Sequence, residues 1–539
     1  MPSTLTTAVL LAALAAGGGA SAIPQPRQTQ QTHLLAETDY GSFQGAYSER
    51  YNISYWQKIP FAAPPVGENR FRGPQPPVAV EGVYDSSQTF DMCPQRTVNG
   101  SEDCLYLGLY SRPWEKSQPL KPVVVTFYGG GFIQGSAAFS IPPSAFPILN
   151  VSDASDMMFV YPNYRTNAFG LLPGKEIAAD PKSDLNPGLL DQEAVLRWTK
   201  KYIAQFGGDP DDVTIWGQSA GGGSVLAQAF ARGGTQKLFR KAMASSPFWP
   251  KTYRHDSAEA QALYDELAER TGCAGPESLA CLKRAEVQTI RDASLAMTTA
   301  HQYNTSTFNW SPVIDGEFLQ EPLSEATTAG RVNMEVVFAM HNTHEGENFV
   351  PPGLQGASDA GSPAFNSSEA SFDKWLRGFQ PGFGDCEIEA VKKLYPPAGT
   401  TETISYNTTY VRAGLIYRDV VLSCPAYWFA GSAPNGGWLG EYSLNPSKHA
   451  SDTVWWNQVN AVQTQDPVRY RGYAGAFASF FQTSDPNALK LSPSTAAGVP
   501  SIKENKEWTV VDAGFETAKL DHLETRCGFW QKAAAKIPI

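Results

Sequence analysis

Phe206 to Ser224 reads FGGDPDDVTIWGQSAGGGS, and within it Gly217-Gln218-Ser219-Ala220-Gly221 has the form G-x-S-x-G. Val213, Ile215 and Trp216 make a short apolar run containing β-branched residues, the pattern of a buried strand. Ser224 to Arg232 (SVLAQAFAR) reads as a helix. Ser219 is therefore expected on a tight turn between strand and helix, the setting that lifts a serine hydroxyl out of the backbone as a nucleophile. Glycines two before and two after it leave room for strained dihedrals and close strand–helix packing. The helix N-terminus behind it favours developing negative charge. A chain with 47 glycines also meets G-x-S-x-G by chance, so the rest of the sequence must supply a base, an acid and anion-binding donors.

Upstream, Lys121 to Phe127 (KPVVVTF) reads as a buried strand running straight into Tyr128-Gly129-Gly130-Gly131-Phe132. Consecutive glycines after a strand leave backbone N–H groups unshielded, which suits an oxyanion hole. Met157 to Tyr161 (MMFVY) is another buried strand, and Leu189 to Phe206 has helical spacing. Further strands are expected at the apolar end of Ser101–Tyr110, within Val332–Met340 and over Trp438–Leu444. Helices are expected within 256–283, 387–395 and 410–430 and around 529–536. This alternation predicts an α/β fold with a mostly parallel, twisted central sheet flanked by helices. From about Tyr40 the prolines at 60, 64, 65, 74, 76 and 77 exclude long helices and leave short antiparallel strands.

The chain has 539 residues, 42% of them hydrophobic, enough for a large core. Its net charge of -11, with no Lys/Arg cluster, argues against nucleic acid as a partner. Ala8 to Ala16 is apolar but too short to span a bilayer, and Ala20-Ser21-Ala22 fits a cleavage site. Residues 1–22 are thus expected to be a signal peptide, 23–37 a loose leader, and 38–539 a single domain. No later run of 18 apolar residues appears, so the expected product is secreted, extracellular and not stably inserted in a membrane. N-x-S/T sequons at Asn52, Asn99, Asn150, Asn304, Asn309, Asn366 and Asn407 are candidate glycosylation sites. Of seven cysteines, the short spacings favour Cys93–Cys104 and Cys273–Cys281 as local disulfides. Cys386–Cys424 is the expected third pair, with Cys527 left free. No spacing resembles a zinc site, and neither a metal nor a cofactor is expected.

A serine needs a base within hydrogen-bond reach. His33 falls in the leader, His255 and His301 follow no strand end, and His522 lies among charged residues near the end of the chain. His341 and His344 share a loop with Glu345 and Glu347, whereas His449 follows a C-terminal strand and completes the order serine, acid, histidine.

FGGDPDDVTIWGQSAG (206–221) resembles the serine signature of the type-B carboxylesterase/lipase family, which includes cholinesterases, and Glu102 to Leu107 (EDCLYL) resembles its second signature. IPFAAPPVGENRF (59–71), YGGGF (128–132), NYR (163–165) and GLLDQ (188–192) match in type and order, so the resemblance covers roughly residues 38–530 and is nearest to secreted fungal members. It implies an α/β-hydrolase fold and a triad of Ser219, Glu345 and His449, the glutamate chosen over Glu347 because it directly precedes Gly346. It assigns the oxyanion hole to the amides of Gly130, Gly131 and Ala220. His344 stands where the family usually has an acid, and Gln218 where it more often has Glu. Ser246 is placed beside the acid, and Arg70–Glu102 and Arg165–Asp191 are implied structural ion pairs.

The expected activity is hydrolysis of a small-molecule or lipid-like carboxylic ester through an acyl-enzyme. Only 10 residues separate Cys93 from Cys104, in the loop that carries the cover of the family's lipases, which favours an esterase over a lipase. A lipase, an acyltransferase and a non-catalytic binding protein on the same fold are the alternatives. Phe248, Trp249, Trp455 and Trp456 are candidates for pocket walls or for core.

Overall fold

In this computed structural model, which describes residues 34–95, 100–306, 308–356 and 364–539, the apolar runs line up in one eleven-stranded sheet. In chain order its strands are β1 (Ala46–Ser48), β2 (Ile53–Pro60), β3 (Tyr106–Ser111), β4 (Lys121–Phe127), β5 (Met158–Pro162), β6 (Gly208–Gln218), β7 (Lys241–Ser245), β8 (Val336–Asn342), β9 (Gly436–Tyr442), β10 (Lys506–Val511) and β11 (Gly514–Lys519). Across the sheet they run β1-β2-β3-β5-β4-β6-β7-β8-β9-β10-β11. β5 to β10 in that spatial order are seven parallel strands, and the strands at both edges are antiparallel.

The parallel strands are apolar on both faces because helices cover both. Val123, Val125 and Phe127 pack with α1 (Pro187–Tyr202) and α2 (Ala220–Phe230). The alternate residue Val124 shares the opposite layer with Trp216, Phe477 and Phe481. α1 opens on Pro187 and ends in Lys200 and Lys201, residues suited to its two dipole ends.

Beyond β7, α3 (Ala258–Arg270) and α4 (Ser278–Arg284) are joined by Cys273–Cys281. Then follow α5 (Glu369–Phe379), α6 (Thr409–Arg418), α7 (Cys424–Gly431), α8 (Pro467–Thr483) and α9 (Asp521–Ala533). The expected helix over 410–430 is α6 and α7 joined by one π-helical stretch, Asp419–Ser423. Among the described residues no helix is long and apolar enough to cross a membrane.

Three sequence expectations change. α2 begins at Ala220, four residues earlier than its composition indicates. Gly221 to Gly223 look like a turn, yet they are helical because neighbours crowd them: a Cβ on Gly221 would lie 2.1 Å from Phe127 O. The leader ends before residue 37, since Leu35–Thr38 pairs with Gly41–Gln44 and Ala36 is buried. The third disulfide is Cys424–Cys527, not Cys386–Cys424. Cys424 and Cys527 are fully buried on α7 and α9 with Cα atoms 5.2 Å apart, within bridging range. Cys386 is exposed and free. Cys93–Cys104 forms as its spacing indicates. The signal peptide, His33 and Asn99 lie outside the described residues, as do the side chains of His301 and Asn304.

Two buried ion pairs brace the strand ends. Arg165 grips Asp191 through both side-chain branches at 2.7 and 2.8 Å and also takes Arg70 O. Arg70 pairs with Glu102 at 2.7 Å and donates to the carbonyls of Leu282, Lys283 and Ala285 at the end of α4.

Candidate active site

Ser219 occupies the turn between β6 and α2 with φ 59 and ψ -127, a strained conformation for a residue with a side chain. It is held there from both sides: its N–H donates to Ser245 O, and its carbonyl accepts from Gly223 N and Phe248 N. A Cβ on Gly217 would lie 2.3 Å from Gly221, so only glycine lets the turn close.

Glu345 lies just past the end of β8 and His449 in the loop after β9. Parallel pairing of β8 with β9, Asn342 opposite Tyr442, brings those loops to the same sheet end as Ser219. The Ser219 hydroxyl lies 2.8 Å from His449 Nε2, and His449 Nδ1 lies 2.9 Å from Glu345 Oε2. The second Glu345 oxygen accepts from Asn342 N at 3.1 Å, and the carboxylate is fully buried. This arrangement sets the tautomer, with Nδ1–H donating to Glu345 and Nε2 accepting from Ser219.

The competitors are placed elsewhere. Glu347 is engaged by His344 at 2.6 Å and by Lys448. Burial works to raise its pKa, but these two partners outweigh burial and hold it below the usual carboxylate range. His341 is fully buried against Glu507 at 2.9 Å, and burial lowers its pKa. His255 Nδ1 faces Ile314 O. Gly346 must be glycine, since a Cβ would fall 1.8 Å from Gly414 O on α6.

Gly130 and Gly131, just past the end of β4, adopt φ 119 and 64, the left-handed region that favours glycine. Among the described residues the amides of Gly130, Gly131 and Ala220 have no backbone acceptor. The loop abuts the serine: a Cβ on the adjacent Gly129 would lie 3.0 Å from Ser219 Cβ. Ser246 is buried with its N–H on Met340 O, but Glu345 is satisfied by His449 and Asn342 instead.

Four contacts escaped sequence reasoning. Asn342 holds Glu345 through its backbone, while its side chain spans Lys448 O and Asp452. Phe349 sets its ring edge against His449 at 5.1 Å and joins Phe248 and Phe308 in an aromatic wall. Phe308 overlies Gly131, where a Cβ would meet its ring at 2.8 Å. Gln218 Nε2 stands 3.4 Å from His449 Nε2. Phe248 and Trp249 are buried, Phe248 within that wall; Trp455 and Trp456 sit in the core layer of α8. Among the described residues no group of metal-ligating side chains forms.

Seven parallel strands, helices on both faces and a nucleophile turn after the central strand β6 define an α/β-hydrolase. The crystal structure of Aspergillus niger EstA superposes with a TM-score of 0.79 at 25% identity, covering 94% of this chain and 99% of that one. The model of the carboxylesterase family matches residues 32–530, and the chain belongs to that family, whose chemistry is carboxylic ester hydrolysis. Carboxylesterase patB of Aspergillus clavatus is 27% identical over 475 residues, 85% of this chain and 80% of the relative. Secreted lipase 1 of Botryotinia fuckeliana is 32% identical over 293 residues, about half of each chain.

Proposed function

We propose that the chain is a secreted carboxylic ester hydrolase in which Ser219 is the nucleophile, His449 the general base and acid, and Glu345 the orienting acid. The unbroken hydrogen-bond chain from Ser219 through His449 to buried Glu345 carries this reading. Ser219 Oγ attacks the ester carbonyl as its proton passes to His449 Nε2. The carbonyl oxygen becomes an oxyanion facing the amides of Gly130, Gly131 and Ala220, each such donor being worth roughly 3–4 kcal/mol in the transition state. His449 returns the proton to the departing alcohol oxygen, and water activated by the same imidazole then releases the acid. Glu345 stabilises the imidazolium between these steps.

The working unit is taken to be the single domain that follows the leader. Secretion is supported by the N-terminal pattern, by three disulfides among the described residues and by exposed sequons at Asn52, Asn150, Asn366 and Asn407. Asn309 is buried and is dropped as an acceptor. The test is hydrolysis of p-nitrophenyl esters from acetyl to palmitoyl by purified protein, beside Ser219→Ala. Ser219→Ala should lower kcat by roughly four orders of magnitude or more while unfolding at the wild-type temperature. Near-normal turnover by a folded Ser219→Ala protein overturns the reading. The aromatic wall over Gly131 favours short acyl groups, and a palmitoyl optimum would move the assignment to lipase.

A further inference from the structure

Glu345 and Glu347 belong to one short turn, Glu345–Asn348, just past the end of β8. The loop after β9 carries Lys448 and His449 side by side. Each carboxylate of the turn grips one of these two neighbours. Glu345 Oε2 accepts from His449 Nδ1 at 2.9 Å, and Glu347 Oε2 accepts from Lys448 Nζ. A single contact would leave the loop free to pivot about it, and a second on the adjacent residue removes that freedom. His344 N on Ser447 O, Asn342 Nδ2 on Lys448 O and His449 N on Asn348 Oδ1 add neutral ties. The Glu347–Lys448 contact is charge-assisted, which makes it the stronger kind.

The loop needs holding. Ser447 and Ala450, on either side of Lys448 and His449, adopt φ 40 and 67, a left-handed conformation that residues with a side chain enter at a cost. Such a conformation persists where contacts from outside impose it. Glu347 is itself fixed to the scaffold. Its carbonyl accepts from Tyr410 OH at 2.7 Å, and its Cγ lies so close to Gly414 that a Cβ there would fall 2.5 Å away; both residues are on α6. Its Oε1 meets His344 Nδ1 at 2.6 Å. The Glu347 side chain is 7% exposed, whereas that of Lys448, with Nζ 5.5 Å over the Tyr410 ring, is 36% exposed. A buried carboxylate backed by a helix thus anchors an outer lysine, and the lysine carries the base next to it.

We infer that Glu347 and Lys448 are positioning residues for the reaction: they lock the loop that carries His449 onto the turn that carries Glu345, and so hold the imidazole in line with Ser219. The inference rests on the triad reading above. Both residues act through His449, whose alignment a displacement of about 1 Å would spoil.

The test measures kcat and KM on p-nitrophenyl acetate for Glu347→Gln, Lys448→Met, the double variant and Lys448→Arg, with thermal unfolding as the check of fold and Ser219→Ala as the background. Each single variant should lose about tenfold in kcat with KM nearly unchanged, because substrate contacts stay in place while the base is misaligned. The double variant should lose no more than either single one, since the two residues form one contact. Lys448→Arg, which keeps the charge and the reach, should stay within about threefold of wild type. The part-exposed Lys448 site tolerates methionine even if the buried Glu347→Gln protein does not fold.

The two variants remove opposite charges. Acting only through their field on His449, they would move the rate at low pH in opposite directions, whereas loss of the clamp lowers kcat in both. A merely structural role would lower the unfolding temperature and leave kcat of the folded protein alone. Wild-type kcat in folded Lys448→Met, rate changes of opposite sign, additive losses in the double variant, or a Lys448→Arg protein as slow as Lys448→Met would overturn the inference and leave the triad standing. Wild-type turnover no faster than that of Ser219→Ala would overturn the triad reading and this inference with it.

Discussion

Replacing Gln218 by glutamate changes one amide nitrogen into a charged oxygen with almost no change of shape, 3.4 Å from His449 Nε2. Gln218 and His449 are both partly exposed, so the interaction falls between the aqueous and the interior limits. At 3.4 Å, Coulomb's law gives about 1 kcal/mol in a water-like medium and about 5 kcal/mol at an effective dielectric constant of 20. With about 1.4 kcal/mol per power of ten in proton binding, and part of the gain lost to desolvating the new carboxylate, the new charge should favour the protonated site by about one to two powers of ten. His449 must be neutral to accept the Ser219 proton. The acid limb of kcat/KM should therefore move to higher pH by the same interval, with activity at low pH falling most. The assay is the pH profile of kcat/KM on p-nitrophenyl acetate from pH 4 to 9 for both proteins at one ionic strength. An acid limb displaced by less than about 0.3 unit in a folded variant would refute the electrostatic coupling of residue 218 to the base.

Among the described residues Lys251 Nζ, buried against Phe379 O, has no carboxylate partner, and burial lowers its pKa to about 8 from 10.5. The unfolded chain then binds more protons between pH 8 and 10.5, so this group adds stability as pH rises through that window, about 3 kcal/mol in all. Urea unfolding at pH 7.5 and 10.5 should show wild type gaining on Lys251→Met by that amount; parallel pH dependence in the two proteins would contradict the buried, unpaired lysine. Cys424–Cys527 closes a span of 103 residues, so Cys424→Ser should cost about 2–5 kcal/mol. Exposed Cys386→Ser should stay within about 0.5 kcal/mol of wild type. Denaturation midpoints of the two variants decide this, and equal losses would contradict the pairing. Peptide mapping under non-reducing conditions should recover residues 424 and 527 in one linked fragment.

The strand–turn–helix frame around Ser219 was legible because its signals are local. Apolar runs of period two, a helical run and flanking glycines each act over a few residues, and the order of motifs named the fold and the family. Local signals also found the two short disulfides, which span 11 and 8 residues. They misjudged the start of α2, because the glycines at 221–223 are required by contact with β4 and the segment after β7, not by a turn. Cys386–Cys424 failed for a related reason: which cysteine meets Cys424 depends on how α9 lies against α7.

Sequence alone therefore determined the α/β architecture, the nucleophile turn, the glycine loop before it and the family to which they belong. Tertiary structure decided which carboxylate reaches which histidine. Glu345 and Glu347 are two residues apart and chemically alike, yet one turns inward to His449 while the other is taken by His344 and Lys448. It also decided that Gln218 touches the base and that Phe308 overlies Gly131. The physical reason is the parallel sheet. Its register brings the ends of β6, β8 and β9 to one edge, so groups 104 and 230 residues apart meet within 3 Å, and no local pattern encodes that distance.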